Sequence, residues 1–208
     1  MSCHCENNEF LYRQVKIDTE APDFNLPAYD PLIDDETVVS LWSLRWKWVV
    51  LFYYPADFTF VCPTELKDMA DARDIFETIW VEVLAASTDT VYSHRAWVKH
   101  ERLMQNFPYK MLSDHNLEIA DTYNILDEKT WIAWRGTFVI DPDWIVRVIE
   151  VTSGPLGRNS EELIRKIEAL QHMRANPWIA CPAKWVKWNT TLAPSIKIAW
   201  EVYEALNK

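Results

Sequence analysis

The stretch Trp48-Val49-Val50-Leu51-Phe52-Tyr53-Tyr54 decides the fold. Its β-branched and aromatic residues fall on both faces, which is typical of a strand buried between two helical layers, and Pro55 ends it. From Pro63 to about Phe76 the pattern becomes that of an amphipathic helix, and a second buried strand is predicted from Val81 to Ala86. This alternation of short apolar runs and amphipathic stretches predicts an α/β fold with helices packed on a central sheet.

The pattern continues towards the carboxyl end of the chain with three further predictions. Ser93 to Gln105 has the spacing of another helix. Gly136–Ile140 and Ile145–Ile149 flank a turn-forming tetrapeptide and are predicted to pair as a hairpin. Asn159 and Glu162 have the spacing of a capping box, which predicts a helix from about Ser160 to Arg174.

Length and composition bound the organisation. With 208 residues and 49% hydrophobic residues, the chain can build one sizeable core. We expect a tail over residues 1–15, a folded domain over 16–175 and a carboxyl-terminal arm over 176–208. Beyond Asn176-Pro177 the segment is interrupted by prolines and shows no long periodicity, so we interpret it as an arm that packs on another subunit.

Charge and hydropathy exclude several classes of partner. The net charge of -10 would repel a phosphate backbone, so no nucleic acid partner is expected. The amino terminus lacks the basic flank and apolar run of a secretory signal, and no stretch reaches the roughly 20 apolar residues that span a bilayer. We therefore expect a cytoplasmic protein with no membrane partner.

The cysteines are the candidates for chemistry. Cys3, Cys5, Cys62 and Cys181 are too few and too scattered for a disulfide scaffold, so thiols are expected in a reducing compartment. Cys62 falls where a buried strand passes into a helix that has Pro63 at its predicted first position. Unpaired N–H groups and the helix dipole at that end favour a thiolate, which is the nucleophilic form of cysteine.

Three neighbours complete the candidate site. The Thr59 hydroxyl could bond the sulfur or an oxygen atom of a bound substrate, Pro55 could shield the pocket from water, and Arg135 could supply fixed positive charge. Each alone would more often be structural: a buried cysteine, a turn threonine, a surface arginine. Their combination favours a site.

The residues that form this site also carry a family resemblance. The pattern P-x-x-x-T-x-x-C, formed by Pro55, Thr59 and Cys62, resembles the active-site signature of peroxiredoxins, and FTFVCPTEL resembles the typical two-cysteine branch. The segments APDFNLPAY, STDTVYSHRAWV, RGTFVIDP and ACPAKW extend the resemblance from about Ala21 to Ala205. The resemblance implies a thioredoxin-like fold, in which a central mixed β-sheet is flanked by helices and followed by a carboxyl-terminal arm.

The same resemblance implies a thiol peroxidase that reduces hydrogen peroxide and organic hydroperoxides. Cys62 would be the peroxidatic cysteine, with Pro55, Thr59 and Arg135 as its catalytic neighbours. Cys181 of a partner subunit would resolve the Cys62 sulfenic acid by forming a disulfide. Thioredoxin or a flavoprotein alkyl hydroperoxide reductase would be the reductant, and the assembly would be a homodimer or a decamer. No cofactor and no metal is implied.

Two other classes of function stay open on the sequence alone. One is a ring-forming chaperone, and the other is a relay that passes oxidation to a protein target.

Cys3-His4-Cys5 lacks further ligands nearby to complete a metal site, so a disordered tail is the expectation there. The chain also lacks the Gly-Gly-Leu-Gly insertion, around residues 107–112, and the terminal Tyr-Phe pair of overoxidation-prone eukaryotic relatives, which implies relative resistance to sulfinic inactivation.

Tryptophan and glycine occur in an unusual ratio. The chain has 12 tryptophans and three glycines, although average glycine usage is about 7%. Against the family pattern Trp48, Trp97 and Trp185 are expected, whereas relatives usually have glycine at positions 46, 80, 131, 144, 178, 188 and 200, and less securely at 42. The hypothesis is that Trp42, Trp46, Trp80, Trp131, Trp144, Trp178, Trp188 and Trp200 are encoded by UGA and read as glycine in the source organism. The alternative is that they are genuine tryptophans.

Overall fold

The fold is described from a computed structural model, which covers residues 14–207. Its strands are β1 (Asn25–Asp30), β2 (Asp35–Ser40), β3 (Trp48–Tyr53), β4 (Val81–Ser87), β5 (Lys110–Ser113), β6 (Leu126–Asp127), β7 (Ile132–Ala133), β8 (Arg135–Ile140) and β9 (Val146–Thr152). Its helices are α1 (Cys62–Asp71), α2 (Arg73–Thr78), α3 (Val91–His100), α4 (Glu118–Thr122), α5 (Ser160–Ala175) and α6 (Val202–Leu206), with short 3-10 turns at Leu41–Leu44, Arg102–Met104 and Ile196–Ile198.

Seven strands form one mixed sheet in the order β2-β1-β5-β4-β3-β8-β9. Strands β3, β4 and β5 run parallel to one another, and the other neighbouring pairs are antiparallel. The parallel pairs are joined by the helical segments α1 with α2, and α3, as parallel strands require. The predicted fold class, a central mixed sheet flanked by helices, is confirmed.

Strand β3 lies between β4 and β8, and all six of its residues are buried. Its register pairs Leu51 with Leu84 on one side and with Phe138 on the other. Both faces of the strand therefore contribute to the core, as its unbroken apolar run predicted. The end of this strand sets the direction of the loop that leads to Cys62.

The chain divides into two compact units at residues 158 and 159. The first unit contains the sheet, and the second contains α5, α6 and the segment between them. The predicted boundaries at residues 15 and 175 stay a prediction. Within residues 14–207, every helix is too short or too polar to cross a bilayer.

Two predicted helices are interrupted. The helix expected from Pro63 to Phe76 ends at Asp71, because Ala72 leaves the helical region with a ψ of 5°, and α2 follows at once. The helix expected from Ser93 to Gln105 ends at His100, because Glu101 is extended and its carboxylate accepts the Leu103 N–H at 3.0 Å. Local backbone geometry thus overrides a continuous amphipathic pattern at both places.

The predicted hairpin is confirmed as β8 and β9. Asp141 organises its turn, since its Oδ1 accepts the N–H groups of Asp143 at 2.9 Å and of Ile145 at 3.0 Å. Trp144 completes the turn with a φ of 70°. A bulky side chain is disfavoured at positive φ, so the backbone of this turn is strained at Trp144.

In the second unit, α5 begins behind Asn159, whose Oδ1 accepts the Glu161 N–H at 2.8 Å. Glu162 instead binds Arg165 one turn later. The helix predicted from Ser160 to Arg174 is confirmed, and its cap is supplied by the asparagine side chain.

Candidate active site

Cys62 is the first residue of α1 and is fully buried. The sequence predicted Pro63 at the first helical position. It occupies the second position instead, because the helix begins one residue earlier. The N–H groups of Thr64 and Glu65 bond back to the Val61 carbonyl at 3.0 and 3.2 Å, which closes the first turn beside the sulfur. The positive end of the helix is thus presented to Cys62, as expected at the start of a helix.

Arg135 approaches the same sulfur from β8. It is buried, and its Nη1 donates to Cys62 Sγ at 3.4 Å. Its Nε donates to the Gly154 carbonyl at 2.7 Å, which fixes the guanidinium plane. The sheet thus brings together two predicted site residues that are 73 positions apart.

Glu65 connects this arginine to a second one. Its carboxylate accepts from Arg135 Nη1, from Arg158 Nε at 2.8 Å and from the Arg158 backbone N–H at 2.8 Å. Arg158 also donates to the Gly136 carbonyl at 3.0 Å and lies 3.4 Å from the centre of the Phe52 ring. Burial lowers the pKa of Arg158, while Glu65 opposes that shift.

Sequence reasoning did not assign Glu65 and Arg158 to the site. The available signal for Glu65 was its position one turn after Cys62 on the same helix. No sequence pattern around Arg158 indicated a role in the site, because it is 93 positions from Glu65 and comes close to it only in the folded chain. Together these side chains place two guanidinium groups and their shared carboxylate in the buried region around Cys62.

A cavity of about 380 Å³ opens beside the sulfur. It is lined mainly by apolar side chains together with the predicted site residues: Pro55, Thr59, Phe60, Val61, Cys62, Asp127, Thr130, Ile132, Ala133, Trp134, Arg135, Gly154 and Pro155. A small hydroperoxide therefore has space to approach an otherwise buried cysteine.

Thr59 and Pro55 both line this cavity. The Thr59 hydroxyl donates to the Ala56 carbonyl at 2.8 Å. Its proton is therefore committed to the backbone, and its oxygen can accept a hydrogen bond from a ligand in the cavity. Sequence reasoning had considered this hydroxyl as a partner of the sulfur or of a peroxide.

Cys181 belongs to the second unit, where its Sγ lies 3.8 Å from the Ala169 carbonyl of α5. It is half-buried, and burial raises the pKa of its thiol while Arg165 opposes the shift. The segment around it is ordered by its own contacts: Ala180 pairs with Leu192, and Trp185 stacks on His172 at 4.9 Å. The predicted contact of this arm with another subunit stays a prediction.

No group of three or more His, Cys, Asp or Glu side chains is arranged to hold a metal ion among residues 14–207. Cys3 and Cys5 lie outside this range.

Comparison with known proteins agrees with this geometry. Residues 17–149 match the model of the AhpC/TSA family. The chain belongs to the AhpC/TSA family. An alkyl hydroperoxide reductase C from Staphylococcus haemolyticus is 38% identical over 186 residues, covering 89% of this chain and 98% of that protein. The corresponding protein of Staphylococcus saprophyticus is 39% identical over the same length and the same shares.

Solved structures of the AhpC/TSA family superpose on the chain. A reduced 2-Cys peroxiredoxin from Plasmodium vivax has a TM-score of 0.85 and 33% identity, covering 90% of this chain and 98% of its own. AhpC from Enterococcus faecalis has a TM-score of 0.77 and 36% identity, covering 81% and 100%. The predicted thioredoxin-like fold is confirmed, and the chain is a peroxiredoxin-type thiol peroxidase. These relatives do not favour a chaperone or a redox relay.

Replacing Glu65 tests the buried ionic cluster. Glu65→Gln leaves Arg135 and Arg158 without their shared carboxylate, and breaking a buried pair from one side costs about 3–5 kcal/mol of unfolding free energy. Urea unfolding measures the change. The matched control is Glu77→Gln, whose exposed pair with Arg73 contributes less than about 1 kcal/mol. Equal effects of the two substitutions would contradict the proposed importance of the cluster.

Proposed function

We propose that the chain reduces hydrogen peroxide and organic hydroperoxides with Cys62 as the peroxidatic cysteine. The observation that carries this proposal is the 3.4 Å contact between Arg135 Nη1 and the buried Cys62 Sγ. A fixed positive charge beside the sulfur suits a thiolate, and the thiolate is the form that attacks peroxides.

The reaction begins with attack of the Cys62 thiolate on one peroxide oxygen. The O–O bond breaks as the S–O bond forms, sulfur is oxidised to sulfenic acid, and the other oxygen leaves as an alcohol or water after taking up a proton. Arg135 faces the sulfur and stabilises the charge that moves onto the oxygens. The Thr59 oxygen is free to accept the peroxide O–H, which orients the substrate for attack.

The shape of the cavity supports organic as well as inorganic peroxides. Its walls are mostly apolar, with Phe60, Ile132 and Trp134 among them. Apolar surface favours the alkyl or aryl part of an organic hydroperoxide through burial. Pro55, in the loop between β3 and Cys62, restricts the access of water to the sulfur.

Resolution requires a second thiol, and Cys181 of a partner subunit is the proposed source. Its sulfur replaces the hydroxyl of the Cys62 sulfenic acid, an S–S bond forms, and the thiol proton leaves with the hydroxyl as water. Because Cys62 is fully buried, the first turn of α1 must open locally before the two sulfurs can meet.

The cycle closes when a dithiol reduces the disulfide. Thioredoxin or a flavoprotein alkyl hydroperoxide reductase is the proposed electron donor, and the proposed assembly is a homodimer or a decamer built from five homodimers. A cytoplasmic location fits a donor of either kind and stays a prediction.

Substituting the two cysteines separates their roles. Cys62→Ser is expected to abolish peroxide consumption in the presence of a reductant. Cys181→Ser is expected to consume one equivalent of peroxide and then stop, without forming the dimeric disulfide band on a non-reducing gel. Peroxide turnover by Cys62→Ser, or a disulfide-linked dimer of Cys181→Ser that contains Cys62, would contradict these assignments.

Resistance to overoxidation is a separate expectation from sequence. The chain has no Gly-Gly-Leu-Gly insertion near residues 107–112, and residues 110–113 form strand β5. The α1 turn that carries Cys62 should therefore open quickly enough for resolution to compete with a second peroxide. Activity is expected to survive repeated peroxide additions, and early irreversible loss with sulfinic acid at Cys62 would contradict this.

A further inference from the structure

The backbone singles out a group of tryptophans. Twelve non-glycine residues among 14–207 have positive φ, and five of them are tryptophan: Trp46, Trp80, Trp131, Trp144 and Trp188, with φ between 58° and 78°. Tryptophan supplies 12 of the 208 residues, so fewer than one would be expected by chance. None of the three glycines has positive φ. The conformation that favours glycine is thus concentrated on the bulkiest side chain.

Several of these positions are turns in which glycine has a defined role. Trp80 lies two residues after Thr78, the last residue of α2, and its N–H donates to the Glu77 carbonyl at 3.1 Å, at the helix end where a left-handed glycine is common. Trp131 closes the turn between β6 and β7 and bonds to the Asp127 carbonyl at 2.8 Å. Trp144 closes the turn between β8 and β9, where hairpins also favour glycine.

Burial separates four of these five tryptophans from the core tryptophans. Trp48, Trp97 and Trp185 are 1–8% exposed, as large apolar side chains in a core are. Trp46, Trp80, Trp131 and Trp188 are 60–90% exposed. Trp144 is buried, but its Nε1 has no hydrogen-bond partner, the one such buried side-chain nitrogen or oxygen found within residues 14–207. An indole ring is suited neither to high solvent exposure nor to burial with its N–H unpaired.

We propose that positions 46, 80, 131, 144 and 188 are glycine in the native protein, because their UGA codons are read as glycine in the source organism. Glycine removes the left-handed strain at all five positions, the exposed indoles at four and the unpaired Nε1 at the fifth. Trp42, Trp134, Trp178 and Trp200 lack positive φ and are not included in the proposal. Trp48, Trp97 and Trp185 remain tryptophan.

The codons and the mass of the native protein test this directly. The gene is expected to carry UGA at the five positions and UGG at 48, 97 and 185. Peptide mass spectrometry of protein from the native source is expected to show glycine at the five positions and tryptophan at the other three. A UGG codon at any of the five, or tryptophan in the native peptides, would overturn the proposal for that position.

Recombinant protein made with the tryptophan reading supplies an independent measurement. Trp80→Gly relieves the strain and is expected to raise the thermal midpoint by about 2–4 °C. The matched control is Trp200→Gly, an exposed position without positive φ, which is expected to give no increase. A lower midpoint for Trp80→Gly than for the parent would count against glycine at position 80.

A second, independent observation concerns the loop that precedes Cys62. Asp57 lies in this loop and is buried, and its carboxylate lies 2.9 Å from His94 Nδ1 of α3. The other ring nitrogen, Nε2, lies 3.2 Å from the Leu112 carbonyl of β5. His94 is fully buried. Its imidazole ring links the loop to strand β5, because each ring nitrogen contacts one of the two.

Two further contacts hold the same aspartate. The Tyr54 hydroxyl donates to its Oδ1 at 2.8 Å, and its own N–H donates to Asp89 Oδ2 at 2.9 Å. Thr59 follows two residues later and is held to the Ala56 carbonyl. The position of the Thr59 hydroxyl in the cavity thus depends on where Asp57 is fixed.

We propose that His94 is a positioning residue for the peroxidase reaction, acting through Asp57 on the loop that carries Thr59. This proposal rests on the proposed role of Cys62. An asparagine in place of His94 is too short to reach both Asp57 and Leu112. The substrate-binding oxygen would then lose its place while the Arg135 contact with Cys62 is kept.

Two rates distinguish positioning from a general structural effect. In His94→Asn the rate constant of Cys62 with hydrogen peroxide is expected to fall about tenfold to a hundredfold, while alkylation of the Cys62 peptide by iodoacetamide, followed by mass spectrometry, stays near the wild-type rate. The matched control, His115→Asn, is expected to leave both rates unchanged.

Coupling to Asp57 completes the test. Asp57→Asn is expected to lower the peroxide rate similarly, and the double variant is expected to fall no further, because both changes break one connection. If His94→Asn does not fold, Asp57→Asn gives the same comparison of rates. An unchanged peroxide rate, or an equal fall in both rates, would overturn the role of His94. A wild-type protein inert to peroxide would instead overturn the proposed function.

Discussion

The contact between Arg135 and Cys62 is the constraint on which the site depends. An arginine from β8 and a sulfur at the start of α1 meet at 3.4 Å in a buried environment. Burying a cation is unfavourable unless it is paired, and Glu65 is shared between Arg135 and Arg158. The pairing with Glu65 therefore holds the Arg135 guanidinium beside the sulfur, where its charge can act on the reaction.

The order of the strands in the sheet makes this contact possible. Strand β3 is buried on both faces between β4 and β8, so the loop after β3 and the beginning of β8 lie at the same end of the sheet. The pairing of Tyr53 with Gly136 places the last residue of β3 next to Arg135. A seven-residue apolar run in the sequence thus positions charged groups that are far apart along the chain.

Much of this was predictable from the sequence, because it depends on local patterns. The run from Trp48 to Tyr54 predicted the central strand, and the turn at residues 141–144 predicted the hairpin. The breaks at Ala72 and Glu101 were not predicted, because one residue with non-helical ψ leaves the apolar periodicity intact. Glu65 and Arg158 were not assigned to the site, since their pairing arises only when β8, α1 and the loop after β9 come together.

The most direct measurement of the central claim is the rate constant of Cys62 with hydrogen peroxide in wild type and in Arg135→Gln, followed by rapid-mixing fluorescence. Glutamine keeps much of the side chain but removes its charge. The rate is expected to fall by about a hundredfold to a thousandfold. Equal rates in the two proteins would contradict the account, because the buried cation would then contribute nothing to the reactivity of the sulfur.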